Sequence, residues 1–276
     1  MKYNRAERII ATVAAIGIVA SLSISARAND TEPATDSVVD GSPTNVIAPD
    51  QPGYAFSSQT VGAGRFEFET SLERDVDGGD YRAWLAPTLL RYGLTDNLEA
   101  RLASSTYTLY DGQFGTHAAG WNDVNLGVKY HLPSSGQNGA PSIGFLLNAA
   151  VPSGSHVFRG SGVRPALAMS AEWSLPQNYS LALAPGLVYD NAGNGRYVGG
   201  LFAVALGKDI GQAAHVFVEL AAPRIAPRSD GGTSYSFDVG YTYRLAPNTQ
   251  VDVGANFGLN KQTPDVQMAF GFSQRW

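Results

Sequence analysis

From Arg65 to the last residue, apolar and polar positions alternate with a period of two, the signature of β-strands with one apolar face. The C-terminal segment puts Val266, Met268, Phe270, Phe272 and Trp276 on one face, with Gln274 the exception. Gln267, Ala269, Gly271, Ser273 and Arg275 take the other. Val251, Val253, Ala255, Phe257 and Leu259 likewise oppose Gln250, Asp252, Gly254, Asn256 and Gly258. Tyr235, Phe237, Val239, Tyr241 and Tyr243 oppose Ser234, Ser236, Asp238, Gly240, Thr242 and Arg244. These segments run about 10 to 12 residues, longer than the usual globular strand.

The breaks between segments are of two kinds. Tight turns are expected at 94–97, 175–178, 209–212 and 245–248, with a looser one at 133–139. Polar, mostly longer loops are expected near 75–80, 111–119, 152–163, 191–195, 224–232 and 260–264. Five turns on one side and six loops on the other predict twelve antiparallel strands, joined up-and-down, with both ends on the short-turn side. That asymmetry is the habit of a transmembrane outer-membrane barrel.

Size decides which face is wet. A closed twelve-stranded barrel is wider than the roughly eight-stranded case whose interior side chains just fill it. An apolar lumen would therefore be an under-packed cavity, whereas an apolar exterior is covered by lipid. The face assigned to the lumen carries Glu67, Glu69, Arg101, Asp123, Lys129, Glu172, Glu219, Asp238 and Asp252 among Gly, Ser and Ala. Tyr81, Tyr92, Tyr110, Trp121, Tyr130, Trp173, Tyr179, Tyr189, Tyr197 and Tyr243 fall near segment ends and suit two headgroup belts. Strand propensity explains any one of them, and a periplasmic β-sandwich is the competing architecture.

Two segments precede the barrel. Lys2, Arg5 and Arg8, an apolar run from Ile9 to about Ile24, and Ala26-Arg27-Ala28 read as a secretory signal peptide over residues 1–28. The competing reading, a membrane anchor, would need a longer apolar run. Residues 29–62 carry Asp30, Glu32, Asp36, Asp40 and Asp50 with no Lys or Arg, and Pro33, Pro43, Pro49 and Pro52 interrupt regular structure. They predict a flexible acidic leader that is either a disordered periplasmic tail or a lumen plug, with 50–62 apolar enough to dock at the barrel mouth. The barrel itself is assigned to 63–276.

Composition narrows the chemistry. The 276 residues include no Cys and four His, so there is no disulfide framework and no thiolate metal site. No cofactor is expected. The formal charge is −5; removing residues 1–28 takes away four basic residues and one acid and leaves −8, which argues against nucleic acid as a partner. A barrel phospholipase would need His and Ser two apart on one strand face. The residues two places after His117, His131, His156 and His215 are Ala119, Pro133, Phe158 and Phe217, so no hydrolase is expected.

Turn geometry predicts three ion pairs on the lumen face near the short-turn end: Arg91 with Glu99, Arg244 with Asp252 (either opposite or diagonal), and, if the last strand closes on the first, Arg275 with Glu67. They either rigidify the wall or form a charged constriction. Glu172, Glu219 and Asp238 have no cationic neighbour in sequence and are the candidates for facing a permeant.

Phe270, Phe272 and Trp276 close the chain with aromatics two apart before an aromatic terminus. This resembles the signal read by the barrel-assembly machinery. Further stretches resemble the phenol-degradation meta-pathway family of outer-membrane transporters. They are Asp50-Gln51-Pro52-Gly53 leading to Gly64-Arg65-Phe66-Glu67-Phe68-Glu69, then residues 91–102 (RYGLTDNLEARL) and 123–130 (DVNLGVKY). Val151-Pro152-Ser153-Gly154-Ser155 is similar to the strand-ending segment that follows in that family. The resemblance spans roughly 50–276. It implies a barrel in the outer membrane of a Gram-negative bacterium, in contact with lipid, that passes small organic molecules, aromatic or apolar ones included; it supplies no catalytic residue. The alternative is a structural or surface-interaction barrel with a closed lumen, whose long loops carry its function.

Overall fold

A computed structural model describes residues 46–79, 81–192 and 195–276. The proposed signal peptide and most of the leader lie outside the described residues. These residues form twelve antiparallel strands: β1 (Phe66–Asp77), β2 (Tyr81–Leu85 and Thr88–Gly93), β3 (Leu98–Ser104 and Tyr107–Gly112) and β4 (His117–Trp121 and Val124–His131), followed by β5 (Ser142–Val151) and β6 (Arg164–Leu175). Then come β7 (Tyr179–Ala192), β8 (Gly195–Ile210), β9 (Ala214–Ile225), β10 (Ser234–Ala246), β11 (Thr249–Gly258) and β12 (Val266–Arg275). Each pairs with its sequence neighbours, and β12 pairs with β1 from Glu67↔Arg275 to Val76↔Val266, closing the barrel. Closure gives β1 and β12 partners on both sides, which an open sheet edge would not, and among the described residues only His117–Trp121 keeps one side without a strand.

The alternation sorts the faces as the hydrophobic pattern predicts. Along β12, Met268, Phe270 and Phe272 are exposed while Gln267, Gly271, Ser273 and Arg275 are buried inside. Glu67, Glu69, Arg101, Asp123, Lys129, Glu219, Asp238 and Asp252 are all buried, and Glu172 half-buried.

Three adjacent strands of the wall are broken, beyond the single bulges in β8, β9 and β10. β2, β3 and β4 are each interrupted, at 86–87, 105–106 and 122–123. Thr106 takes a positive φ of 39°. At the second and third interruptions an extra residue flips the inward parity: odd positions such as Glu99 and Arg101 point inward below, even positions such as Thr108 and Tyr110 above. Three aromatics expected in the outer belts therefore need correction. Tyr81 and Tyr110 are buried against each other inside, and Tyr197 turns inward to give its hydroxyl to Asp190 (3.1 Å). For Tyr110 the flip is the cause. Tyr81 lies an even number of residues from inward Arg91 and shares its face.

Candidate functional site: the charged interior and the segment that crosses it

Residues 46–62 run through the interior without joining the sheet. They touch strands all around the barrel, and wall carboxylates grip their backbone. Glu69 Oε2 accepts the N–H groups of Asp50 (2.8 Å) and Gln51 (3.2 Å). Glu219 accepts those of Tyr54 and Ala55, one on each oxygen, both at 2.8 Å. Glu172 takes Ser58 N–H at 2.7 Å and Glu99 takes Val61 N–H at 2.9 Å. An extended chain with no sheet partner has unpaired amides, and carboxylates on the wall are strong acceptors for them.

Asp50 reverses the pattern by sending a carboxylate into a cationic group on the wall. Lys129 Nζ lies 2.8 Å from its Oδ1, Arg101 bonds its Oδ2, and Arg91 Nη1 is 3.8 Å away. Burial opposes ionisation of Asp50, but Arg101, Lys129 and Arg91 outweigh it and hold the carboxyl well below its usual range. Arg91 is the hub. It donates Nε to Glu99 (2.9 Å) and Nη1 to Glu67 (2.8 Å), Glu69 (3.0 Å) and the Ala48 carbonyl (3.0 Å). Its Nη2 reaches the Gln59 carbonyl at 3.0 Å.

Apolar packing holds the middle of the segment. Tyr54, Ala55 and Phe56 sit on a patch of wall made small by Ala168, Ala182, Ala184, Ala203, Ala205 and Ala221. Gly144 lets the backbone pass: a Cβ there would stand 2.7 Å from the Ser58 carbonyl oxygen.

The named lumen residues fall as follows. Arg91 and Glu99 form an ion pair, although the residue directly opposite Arg91 is Arg101 and Glu99 faces Gly93. Glu67 and Arg275 are direct cross-strand partners, and Arg275 Nη1 donates to the Val46 carbonyl at 3.1 Å. Arg244 and Asp252 come out diagonal, one of the two placements expected. A bulge after Arg244 sets it opposite Gln250 and sets Asp252 opposite Thr242. Arg244 donates to the Gln212 carbonyl, and among the described residues neither oxygen of Asp252 has a hydrogen-bond partner. Glu219 and Asp238 face each other across β9 and β10. Phe270 and Phe272 point outward, and Trp276 exchanges backbone hydrogen bonds with Phe66, its ring 5.8 Å from the Phe66 ring.

Among the described residues, no group of three or more His, Asp or Glu is arranged to hold a metal ion. His131 Nδ1 contacts the Ser58 carbonyl (3.1 Å), and His215 Nδ1 pairs with Asp209 (2.7 Å).

Residues 49–276 match the family model described as "Putative MetA-pathway of phenol degradation". The chain belongs to this family. Among curated proteins none is significantly similar in sequence. Among solved structures, an outer membrane channel from Pseudomonas putida F1 aligns over 82% of this chain and 99% of its own, at 12% identity and a TM-score of 0.62. That is a likeness of fold. The CymD monoaromatic hydrocarbon channel aligns over 77% of this chain and 88% of its own, at 11% identity and a TM-score of 0.42.

Proposed function

We propose that this family member is an outer-membrane channel through which small organic solutes, single-ring aromatic and apolar compounds among them, move passively down their gradients. The observation that carries the reading is a closed twelve-stranded wall with an apolar exterior and a charged interior, the arrangement that suits lipid outside and a polar path within. The family's association with phenol degradation supports the choice of permeant. An N-terminal signal over residues 1–28 and the aromatic C-terminus suit export and handling by the barrel-assembly machinery. Transport of this kind needs no bound cofactor and no catalytic step.

Residues 46–62 lie across the path, so permeation requires this segment to shift. The same observation favours a second reading, a structural or surface-interaction barrel whose lumen stays closed. Liposome swelling separates the two, using a sugar and phenol on the mature protein and on a variant lacking residues 29–60. A channel admits phenol with the segment present and admits both solutes faster without it. Absence of flux for either solute with the segment present, together with flux only after its removal, selects the closed barrel.

A further inference from the structure

The inner wall has a second apolar patch, away from the one under Tyr54 and Phe56. It lies on the long-loop halves of β2, β3 and β4. Tyr81, Ala83, Leu85 and Tyr110 point inward there, the two tyrosine rings stacked with centroids 5.4 Å apart and planes at 26°. Gly120 lets two side chains of the loop lie over the neighbouring floor, since a Cβ there would stand 2.7 Å from Ser155 Cβ and Oγ and 3.2 Å from the Phe158 ring. Phe158 fills the resulting niche and is 1% exposed.

Phe158 is not part of the wall. It comes from the loop at 152–163, which turns inward and is held chiefly through its backbone. Asp123 accepts the N–H groups of Ser153 (3.0 Å), Gly154 (2.8 Å) and Gly160 (2.8 Å), and pairs with Arg164 at 2.9 Å. Ser155 bonds Trp121 in both directions, N–H to carbonyl at 2.8 Å and Trp121 N–H to hydroxyl at 2.9 Å. None of these bonds involves the phenyl ring, which apolar contact alone retains. Moreover, among the described residues His117–Trp121 pairs with β3 on one side and with no strand on the other, so a shift of the loop there breaks the two Ser155–Trp121 bonds and no ladder.

The niche has one polar edge. Thr108 lies directly opposite Gly120 and accepts Asn122 Nδ2 at 2.6 Å. Among the described residues Asn122 Oδ1 has no hydrogen-bond partner, although the residue is only 6% exposed. A buried acceptor left unpaired is costly and calls for a donor.

We infer that this niche is a binding site for a single-ring aromatic carrying one hydroxyl, whose ring takes the place of the Phe158 phenyl and whose hydroxyl donates to Asn122 Oδ1. The inference rests on the channel reading for delivery of the ligand, while the binding itself is independent of flux. An incoming ring must first displace Phe158, so its affinity is reduced by that displacement, and truncating Phe158 removes the reduction.

The test uses the full mature protein in detergent with 4-bromophenol as probe, followed by calorimetry and by the anomalous signal of bromine in crystals. Phe158→Ala should bind about tenfold more tightly than the wild type, with bromine in the vacated niche. Asn122→Ala in that background should lose the preference for 4-bromophenol over 4-bromoanisole, which has no donor. Affinity unchanged by Phe158→Ala, or bromine located elsewhere, overturns the site. If Phe158→Ala fails to give a heat-modifiable band on a gel, Phe158→Leu is judged by the same criteria. Flux of phenol without binding in the niche overturns this inference alone; binding without flux overturns the channel reading and leaves the site standing.

Discussion

Lys129 Nζ stands 2.8 Å from Asp50 Oδ1, across 79 residues of sequence, with both side chains wholly shielded from solvent. This contact joins the segment inside the barrel to the wall of β4, and Arg91 and Arg101 converge on the same carboxylate. Removing the carboxylate leaves three cations crowded together without their shared partner. In buried pairs such a loss costs about 3–5 kcal/mol. Asp50→Asn is therefore expected to release the front of the segment and raise single-channel conductance in planar bilayers, while the barrel keeps its heat-modifiable mobility. Wild-type conductance in the variant would show that the pair does not hold the segment.

Much of this interior is legible in the sequence, and the remainder is not for identifiable reasons. Period-2 alternation places Glu67, Glu219, Asp238 and Asp252 inside, because a strand leaves no other choice once one face is apolar. It cannot register a residue inserted within a strand, so the parity flips at 105–106 and 122–123, and with them the inward turn of Tyr110, escape it. The bulge after Arg244 escapes the alternation for the same reason. The partners of Asp50 escape for another reason: they are set by how a non-sheet segment crosses the finished barrel, and no local pattern in 46–62 encodes which wall residue it meets.

Glu219 offers a second handle on the segment, independent of the cationic group. Its two oxygens take two consecutive N–H groups, those of Tyr54 and Ala55. Glu219→Gln keeps one acceptor and turns the other into a donor facing a donor. Leaving one buried amide unpaired costs about 1–3 kcal/mol. Current recordings should show more frequent openings and a weaker cation preference, with a smaller effect than Asp50→Asn. Unchanged reversal potential and gating would count against any part for Glu219 in the path.

Gly144 tests the fit of the segment without altering a charge. Any side chain there meets the Ser58 carbonyl oxygen, 2.7 Å from the position a Cβ would occupy. Gly144→Val should push 57–59 off β5 and break the Ser58 N–H bond to Glu172, which is 2.7 Å long. Limited proteolysis from the lumen side should then cut within 50–62 at a higher rate than in the wild type. Equal protection would place the segment farther from the wall than the close approach implies.

The exterior makes the most direct claim about surroundings. Leu220 lies mid-strand on β9, 54% exposed, on the face opposite buried Glu219 and Ala221. In water an exposed Leu-to-Arg change usually alters stability by no more than about 0.5 kcal/mol. On the lipid face of a barrel the same change costs about 2–4 kcal/mol near the bilayer midplane and little at the interfaces. Leu220→Arg is expected to lower the urea midpoint in liposomes by an amount in the upper range. Val163→Arg, on an exposed residue beside a long loop, should leave the midpoint nearly unchanged. Equal, small effects at both positions would mean that the apolar face of β9 does not meet hydrocarbon, and the outer-membrane assignment would fall with it.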